Sequence, residues 1–471
     1  MSANPQRSTD DGLIAELAAI IGPGAVRRGA ELDERYIRNA WGYGNETAQT
    51  PRAIVWPRST GEVSRVLSYC NAIGQTVVPQ GGLSGVVGGA CATARDVVVS
   101  LERMNGIGEI DDESIIVAVE AGATLQAISE RLAERRLVFP VDIGSRATAT
   151  LGGMIASNAG GLNVVKYGMM RQNVLGLEAV LADGTVVGGL GKVLKDNAGY
   201  DLKHIFIGSE GTLGIVTRAT VRVFDKPQAI STAFVGVACF AGVARLLRRL
   251  RQLPLGTLAA YEVMWSSYGQ LIREFCTRAR IPFPTDCAFY LLIEAHVECD
   301  AIERVLAEAL ESGEAIDAVV AKSERERAAL WLVREGSGEG LRKLGSLVTF
   351  DISLPLADMP LFVEQASREV AALFPATRSI ALAHGADGNL HLIFATGGGS
   401  AEERLAIDHL VYRKVKEIAG SISAEHGIGT SKRPYLGYSR SAAEIELMKR
   451  LKSTLDPKGI LNPGKVLHDV G

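Results

Sequence analysis

The amino-acid sequence predicts an α+β protein with more than one domain. Its 471 residues are too many for a single hydrophobic core. Glycine contributes 52 of the 471 residues, about one in nine, which is above the usual ~7%. The excess lies mostly in loops of the first half. From Ile230 to about Gly420, strand-like and helix-like segments alternate, which is typical of an antiparallel sheet covered by helices on one side.

The first half combines short strands and amphipathic helices with glycine-rich loops. After the helical pattern "GLIAELAAIIG", the segments "PRAIVWP" and "QTVVP" predict strands, and the helix between them begins with Ser59 and Glu62 at capping-box spacing. The second of these strands runs directly into "PQGGLSGVVGGA". The strands "DVVVSL" and "SIIVAVEAG" and the helix "TLQAISERLAERR" lead to a second glycine-rich tract and then to a hairpin that turns at Asp183-Gly184.

A fall in glycine density near Asp225-Lys226-Pro227 indicates a domain boundary. Beyond it, strands such as "AFYLLIEAHV" and "LVTFDISLPL" alternate with helices such as "AIERVLAEALESG". The C-terminal tail adds helices and ends in "DPKGILNPGKVL".

Charge and cysteine usage exclude several classes of function. A net charge of −3 gives no electrostatic basis for nucleic-acid binding. The longest apolar run, near Ala233 to Ala244, is far shorter than the ~18–20 residues of a bilayer span, and "MSANPQRSTDD" lacks an apolar signal core. The six cysteines form no C-x-x-C pair. We therefore expect a soluble, cytoplasmic protein with reduced thiols and no membrane span.

The two glycine-rich tracts predict a site for a large cofactor. "PQGGLSGVVGG" follows a strand, where successive backbone N–H groups can surround phosphate oxygens, and glycine allows positive φ and close approach. No Gly-Lys-Ser/Thr ends this loop, and no G-x-G-x-x-G opens a helix after the first strand, so neither a Walker A site nor a nicotinamide Rossmann fold is supported. The second tract, "PVDIGSRATATLGGMIASNAGG", is also poor in charge. Such a pair suits a cofactor held by backbone and hydroxyl groups.

The stretch "HGADGNLH" predicts a second site. Asp-Gly favours a two-residue type I′ turn, and a turn centred on Asp387 and Gly388 would place His384 opposite His391. Opposed residues have Cβ atoms roughly 4.5–5.5 Å apart, which permits two imidazoles to bind one metal ion. "SAEHGIG" offers Glu425 as a third ligand and His426 as a base, because adjacent residues do not easily bind the same ion. The alternative is a pair of surface histidines and a solvated glutamate.

Four segments resemble the FAD-binding signatures of the vanillyl-alcohol oxidase and p-cresol methylhydroxylase flavoproteins: "PQGGLSGVVGGA", "FPVDIGSRATATLGGMIASNAGG", "YDLKHIFIGSEGTLGIVT" and "LNPGK". "HGADGNLH" and "SAEHGIG" resemble the branch of D-lactate, D-2-hydroxyglutarate and glycolate dehydrogenases within that family. The resemblance runs from about Thr50 to Leu467. It implies an N-terminal tail and helical segment (1–49), a two-subdomain FAD-binding domain (50–226), an α+β substrate or cap domain with an antiparallel sheet (227–427), and a C-terminal helical segment that returns to the FAD domain (428–471).

The resemblance also implies which residues bind FAD. The first loop would hold the pyrophosphate, through Pro79, Gly81, Gly82, Leu83, Ser84 and Gly85. The second tract would line the flavin, through Ser145, Thr150, Gly152, Gly153, Ser157 and Asn158. Ile215 would contact the adenosine side and Asn462 the isoalloxazine edge. Some relatives attach FAD to a histidine of the first loop; none occurs here between Pro79 and Gly89, so we expect non-covalent FAD.

The implied reaction is oxidation of a D-2-hydroxy acid to the 2-oxo acid. His384, His391 and Glu425 would hold a divalent metal, zinc in the first place, although manganese or cobalt suits the same ligands. His426 would take the hydroxyl proton while the Cα hydride passes to flavin N5, and Arg334 in "WLVREGSG" would bind the carboxylate. The electrons would leave to an external quinone, cytochrome or electron-transfer flavoprotein. The resemblance allows a homodimer, and it allows either a dehydrogenase or an oxidase.

Three positions depart from the pattern of the hydroxyglutarate branch. Gly338, Thr349 and Ile393 stand where threonine, lysine and asparagine are expected. A second substrate carboxylate would lack partners, and its desolvation is costly. We therefore favour D-lactate or a larger apolar D-2-hydroxy monocarboxylate, with D-2-hydroxyglutarate as the alternative. Two other functions stay open: a flavin-containing ether-lipid synthase of the alkylglycerone-phosphate type, and a metallohydrolase without flavin.

Overall fold

The computed structural model describes residues 5–38 and 48–468, which form two compact units. The first unit contains the described residues up to Gly161, then Gly168–Lys226, and the chain from Glu425 onward. The second contains Leu162–Tyr167 and Pro227–Ala424. The described part of the N-terminal segment therefore belongs to the first unit, and so do residues 425–427, which we had expected in the cap domain.

The first sheet of unit one has four strands in the order β1-β2-β4-β3. They are β1 Val26–Arg28, β2 Ala53–Val55, β3 Val77–Gln80 and β4 Val97–Ser100. Helices α1 (Pro5–Ile21) and α2 (Thr60–Ile73) pack on this sheet, with Leu17 and Leu67 fully buried in its core. The Ser59 side chain caps α2 by accepting from the Glu62 amide, as the spacing predicts.

The second sheet of unit one has five antiparallel strands in the order β5-β6-β10-β8-β9. They are β5 Ile107–Asp111, β6 Ile116–Glu120, β8 Val174–Val180, β9 Val186–Gly189 and β10 Ile215–Arg222, and a separate pair joins β7 Leu137–Val138 to β11 Phe224–Asp225. The predicted hairpin at Asp183-Gly184 is confirmed, because β8 and β9 pair on either side of it and Gly184 has φ 89°. Besides α1 and α2, the α-helices described in this unit are α3 Leu125–Ala133, α4 Leu151–Ser157, α6 Met170–Asn173, α7 Lys203–Phe206 and α15 Ala442–Leu455.

The second unit is built on a seven-stranded antiparallel sheet in the order β15-β12-β14-β13-β17-β18-β16. Its strands are β12 Ser231–Val237, β13 Leu258–Trp265, β14 Phe289–Ala295, β15 Asp317–Val320, β16 Leu347–Ser353, β17 Arg378–His384 and β18 Asn389–Ala395. Its helices are α5 Val164–Tyr167, α8 Phe240–Leu250, α9 Ser266–Phe275, α10 Cys299–Glu311, α11 Glu324–Glu335, α12 Ser337–Lys343, α13 Met359–Leu373 and α14 Ala401–Glu417.

The prediction that helices cover only one face of this sheet is wrong. Every residue of β12, β13 and β14 is buried. On β13, Met264 packs with Leu271 of α9, whereas Tyr261 points to the other face and its hydroxyl donates to the Val243 carbonyl of α8 at 2.7 Å. Continuous apolar runs in these strands follow from burial on both faces. In the described part of the chain, no helix combines the length and the hydropathy needed to cross a bilayer.

Candidate active site

A cleft in the first unit has an open volume of about 1140 Å³, including the part continuous with solvent. Both glycine-rich tracts line it. The predicted cofactor residues on its walls are Pro79, Gly81, Gly82, Leu83, Ser84, Gly85, Thr150, Gly152, Gly153, Ser157 and Ile215. Among the described lining residues only Glu210 and His426 have an ionisable carboxylate or imidazole. The cleft thus offers backbone and hydroxyl groups to a ligand, as expected for the cofactor site.

Close packing explains the glycines of the first loop better than positive φ does. A Cβ on Gly81 would lie 2.3 Å from Thr150 Oγ1, and one on Gly82 would lie 1.5 Å from the Thr148 carbonyl oxygen. The left-handed conformation falls instead on Leu83, with φ 53°, and on Gly88, with φ 76°. The two tracts therefore contact each other directly, and this contact shapes the cleft.

Three predicted cofactor residues are absent from the described lining of the cleft and instead make hydrogen bonds within the first unit. Asn158 ends α4 with φ 51° and accepts from the Arg171 amide at 2.9 Å. The Ser145 carbonyl accepts from two amides of the following turn. Asn462 is buried, and its Nδ2 donates to the carbonyls of Gly89 and Glu210 at 2.9 and 2.7 Å.

Sequence reasoning assigned no role to several other residues of the cleft. The first loop continues to line it as far as Cys91, and the wall also includes Phe206, Ser209, Glu210 and Gly211. The signal was present in "GSEG", where a glutamate stands in a glycine-rich turn that is otherwise uncharged.

In the second unit, the predicted register of the histidine hairpin is wrong. His384 lies opposite Asn389, and His391 lies opposite Leu382, so the loop has four residues. A type I′ turn needs positive φ at both central residues, but only Gly388 has it, with φ 90°. The Gly385 amide instead donates to the Tyr261 carbonyl of β13 at 2.8 Å, which extends pairing with the neighbouring strand past His384.

The two histidines nevertheless meet, because a shift of two residues keeps both side chains on the same face of the sheet. His384 Nε2 and His391 Nε2 are 3.3 Å apart, and the rings are nearly perpendicular, at 83°. His384 is buried and His391 is half-buried.

A buried carboxylate orients the first imidazole. Glu262 lies opposite His384 on β13; its Oε1 is 2.6 Å from His384 Nδ1, and its Oε2 accepts from Arg334 Nε at 2.6 Å. Burial by itself would raise the pKa of Glu262, but His384 and Arg334 outweigh it and lower the pKa to about 2. The carboxylate is therefore ionised and can accept a hydrogen bond from His384 Nδ1, an arrangement that would leave His384 Nε2 free to act as a ligand beside His391. An acidic residue inside the apolar strand "LAAYEVMW" was the signal for Glu262.

A second buried carboxylate on the same face of the sheet, that of Asp351, accepts a hydrogen bond from the last residue of the second unit. Asp351 lies opposite His391; its Oδ1 accepts from Asn389 Nδ2 at 2.8 Å, and its Oδ2 from the Ala424 amide at 3.2 Å. Ala424 is the last residue of the unit.

The next two residues, Glu425 and His426, belong to the first unit. There Glu425 Oε2 accepts from the Gly161 amide at 2.8 Å, and His426 lies on the wall of the cleft. The predicted metal ligands and base are thus divided between the units, with the histidine pair in the second and Glu425 and His426 in the first.

Two family models match this chain. The family model described as FAD binding domain matches residues 51–188, and the C-terminal domain model of FAD linked oxidases matches residues 226–466. A mitochondrial D-2-hydroxyglutarate dehydrogenase of Danio rerio is 37% identical, with 88% of this chain and 78% of the relative covered. D-2-hydroxyglutarate dehydrogenase of Stutzerimonas stutzeri is 33% identical, with 97% and 99% covered. A putative mitochondrial D-lactate dehydrogenase of Schizosaccharomyces pombe is 36% identical, with 87% and 80% covered.

Solved structures show the fold. p-Cresol methylhydroxylase with substrate bound superposes with a TM-score of 0.77 at 16% identity, covering 99% of this chain and 98% of that one. Alkyldihydroxyacetonephosphate synthase gives 0.74 at 19% identity, covering 98% and 86%. Together with the glycine-lined cleft and the sequence relatives, these matches identify the chain as a member of the FAD-linked oxidases, in the group of FAD-dependent D-2-hydroxyacid dehydrogenases.

Proposed function

We propose that this enzyme oxidises a D-2-hydroxy monocarboxylate with the help of a divalent metal ion and passes the electrons from FAD to an external acceptor. One observation carries the metal part of the proposal: two imidazole Nε2 atoms lie 3.3 Å apart, and the first of the rings is oriented by a buried carboxylate.

The spacing of the two nitrogens fits a shared ion. Two nitrogens bound at 2.0–2.1 Å and at a tetrahedral angle are roughly 3.3–3.4 Å apart. The chain Arg334–Glu262–His384 supplies the carboxylate that metal-binding histidines usually contact through their other nitrogen. We assign Glu425 as the third ligand, and zinc as the first choice of ion, with manganese or cobalt as substitutes. Such an ion would lower the pKa of the substrate hydroxyl.

FAD fits the cleft of the first unit, whose walls are largely uncharged and rich in backbone donors. When bound there, FAD would supply the acceptor for the hydride of the substrate Cα. His426 lies on the wall of that cleft and is our candidate for the group that removes the hydroxyl proton. The pairing of Arg334 Nε with Glu262 fixes the plane of the guanidinium, and we assign this guanidinium to the substrate carboxylate.

The second unit supports a substrate without a second charge. Thr349 and Ile393, which replace a lysine and an asparagine of the hydroxyglutarate branch, are cross-strand partners on β16 and β18, and Ile393 is buried. Gly338 of α12 contributes no side chain. D-Lactate or a larger apolar relative therefore suits these positions better than a dianion does. The names of the relatives favour the other candidate, D-2-hydroxyglutarate.

An anaerobic substrate screen tests both parts. Flavin bleaching is followed with D-lactate, longer D-2-hydroxy acids, D-2-hydroxyglutarate and the L isomers, before and after metal chelation and after zinc, manganese or cobalt is restored. We expect bleaching by D isomers only, its loss on chelation, and a higher kcat/KM for a monocarboxylate. Activity that survives complete metal removal would refute the metal role, and a clear preference for D-2-hydroxyglutarate would refute the choice of substrate.

Metal content separates a metal site from a histidine–histidine hydrogen bond. We expect one equivalent of metal in the wild type, little in His391→Ala, and the wild-type amount in His409→Ala, since His409 is an exposed histidine of α14 in the same unit. Equal metal contents in the two variants would leave the histidine pair with a structural role only.

A further inference from the structure

Glu210 occupies an unusual backbone position on the wall of the FAD cleft. It has φ 53°, in a turn where Gly208 and Gly211 also have positive φ, of 85° and 71°. Left-handed backbone is uncommon for glutamate and persists only where the surroundings enforce it. Here the Glu210 amide donates to the Ala156 carbonyl at 2.9 Å, and its own carbonyl accepts from Asn462 Nδ2 at 2.7 Å. Both bonds hold the turn so that the glutamate side chain points in a defined direction.

The Glu210 carboxylate occupies a nest of backbone amides. Its Oε1 accepts from the Ile428 amide at 2.7 Å, and its Oε2 accepts from the Gly429 amide at 2.8 Å. The chain around these amides is left-handed at Gly427, with φ 84°, and at Gly429, with φ 53°, which turns successive N–H groups toward one anion. A Cβ on Gly427 would lie 2.9 Å from Oε1, so glycine allows the carboxylate to approach this closely.

The nest immediately follows the proposed base. Gly427 is the residue after His426, and His426 and Glu210 line the same cleft. Beyond the nest, the Thr430 amide donates to the Val87 carbonyl of the first glycine-rich loop at 2.9 Å. Burial raises the pKa of the Glu210 carboxyl, while the two amides and the Lys432 ammonium act in the opposite direction.

We infer that Glu210 is a positioning residue, whose carboxylate holds the Gly427–Gly429 backbone and thereby fixes the His426 imidazole on the cleft wall. The inference rests on the proposed role of His426 as the base. It assigns the Glu210 side chain no contact with substrate; its effect passes through two main-chain hydrogen bonds.

The test compares Glu210→Gln with Glu178→Gln in the FAD-loaded enzyme. A glutamine keeps the length of the side chain but turns an N–H donor toward one of the two amides, so one hydrogen bond is lost. Glu178 is a matched control: it is a half-buried carboxylate of the same unit, bound to Arg218 at 2.9 and 3.0 Å, and it is not among the described residues that line the cleft.

Two readouts are needed. Hydrogen exchange, followed by mass spectrometry on peptides spanning 427–432, reports on the loop without reference to catalysis. We expect faster hydrogen exchange in these peptides in Glu210→Gln and an unchanged exchange rate in Glu178→Gln. We also expect kcat to fall on the order of 10- to 100-fold in Glu210→Gln, with KM and FAD content nearly unchanged and a larger solvent deuterium isotope effect. Glu210→Asp, which keeps both acceptor oxygens, should be intermediate, and it carries the comparison if the glutamine variant fails to fold.

The outcomes separate this inference from the proposed function. Unchanged exchange and kcat in both Glu210 variants would overturn it, as would faster exchange with wild-type kcat. His426→Asn is measured in parallel. If that variant keeps wild-type kcat, the base assignment fails and the catalytic part of the inference fails with it. If it is inactive while Glu210→Gln behaves as the control does, the base assignment stands and the inference alone is overturned.

Discussion

Replacing Glu262 by glutamine should weaken both the second unit and its affinity for metal. The carboxylate is buried, and it binds His384 Nδ1 and Arg334 Nε, each at 2.6 Å. A glutamine offers only one acceptor oxygen, and its amide N–H groups would face one of these two donors. The change therefore leaves a buried donor unpaired and removes the negative charge that fixes the imidazole.

The pKa of Glu262 gives the size of the effect. Its lowering from 4.5 to about 2 is roughly 2.5 units, and at 1.36 kcal/mol per unit this corresponds to about 3 kcal/mol. Because the folded-state pKa is below the unfolded one, this stabilisation is complete above about pH 4.5 and is lost as the pH falls from 4.5 toward 2. The difference in stability between wild type and Glu262→Gln should therefore be clearly smaller near pH 3 than at neutral pH.

Urea denaturation of the chelated protein at neutral pH and near pH 3 measures the loss of stability. Competition with a chromophoric chelator measures the loss of metal affinity, which we expect to be 10–100-fold. Glu294→Gln is the control, because Glu294 lies on the neighbouring strand β14, binds Trp331 Nε1 at 2.7 Å, and belongs to the same sheet. If Glu262→Gln binds metal as tightly as Glu294→Gln and the wild type, the proposed orientation of His384 by Glu262 is refuted.

Three further substitutions test the cleft, the substrate preference and the core. Gly82→Ala should reduce FAD retention sharply, because its Cβ would lie 1.5 Å from the Thr148 carbonyl oxygen. Gly85→Ala, with open space around it, should retain FAD, and equal retention by the two variants would contradict the packing argument. Ile393→Asn should raise the ratio of kcat/KM for D-2-hydroxyglutarate to that for D-lactate, and an unchanged ratio would count against the substrate assignment. Lys452→Met should lower the free energy of unfolding by about 3–5 kcal/mol in urea, since the ammonium is buried against a carboxylate and two carbonyls, and a loss below 1 kcal/mol would contradict this.

Local pattern was sufficient for many elements of the fold and for the composition of the cleft. Period-two and period-3.6 patterns correctly predicted the hairpin at Asp183-Gly184 and the antiparallel sheet of the second unit. The two glycine-rich tracts, both poor in charge, were expected to share a ligand, and both line one cleft. These features depend on neighbouring residues in sequence, so a single chain reveals them.

Local pattern was insufficient where distant strands compete for the same backbone. Asp-Gly favours a two-residue turn, but the Gly385 amide pairs with Tyr261 on β13, and the hairpin shifts its register by two residues. The partners of Arg334 and His384 were hidden for the same reason, since Glu262 is more than a hundred residues from His384 along the chain.

The sequence by itself determined which chemical groups this protein can use: glycine-rich loops poor in charge for a dinucleotide, two histidines near a turn, and an adjacent acid and imidazole in "SAEHGIG". Only the tertiary structure decided how these groups are held. The ionised Glu262 behind His384, and the Glu210 carboxylate beneath the loop after His426, bind partners that lie far away in the sequence. Such contacts form because a buried carboxylate is stable only when hydrogen-bond donors surround it. The spacing of residues along the chain does not predict which distant donors these are.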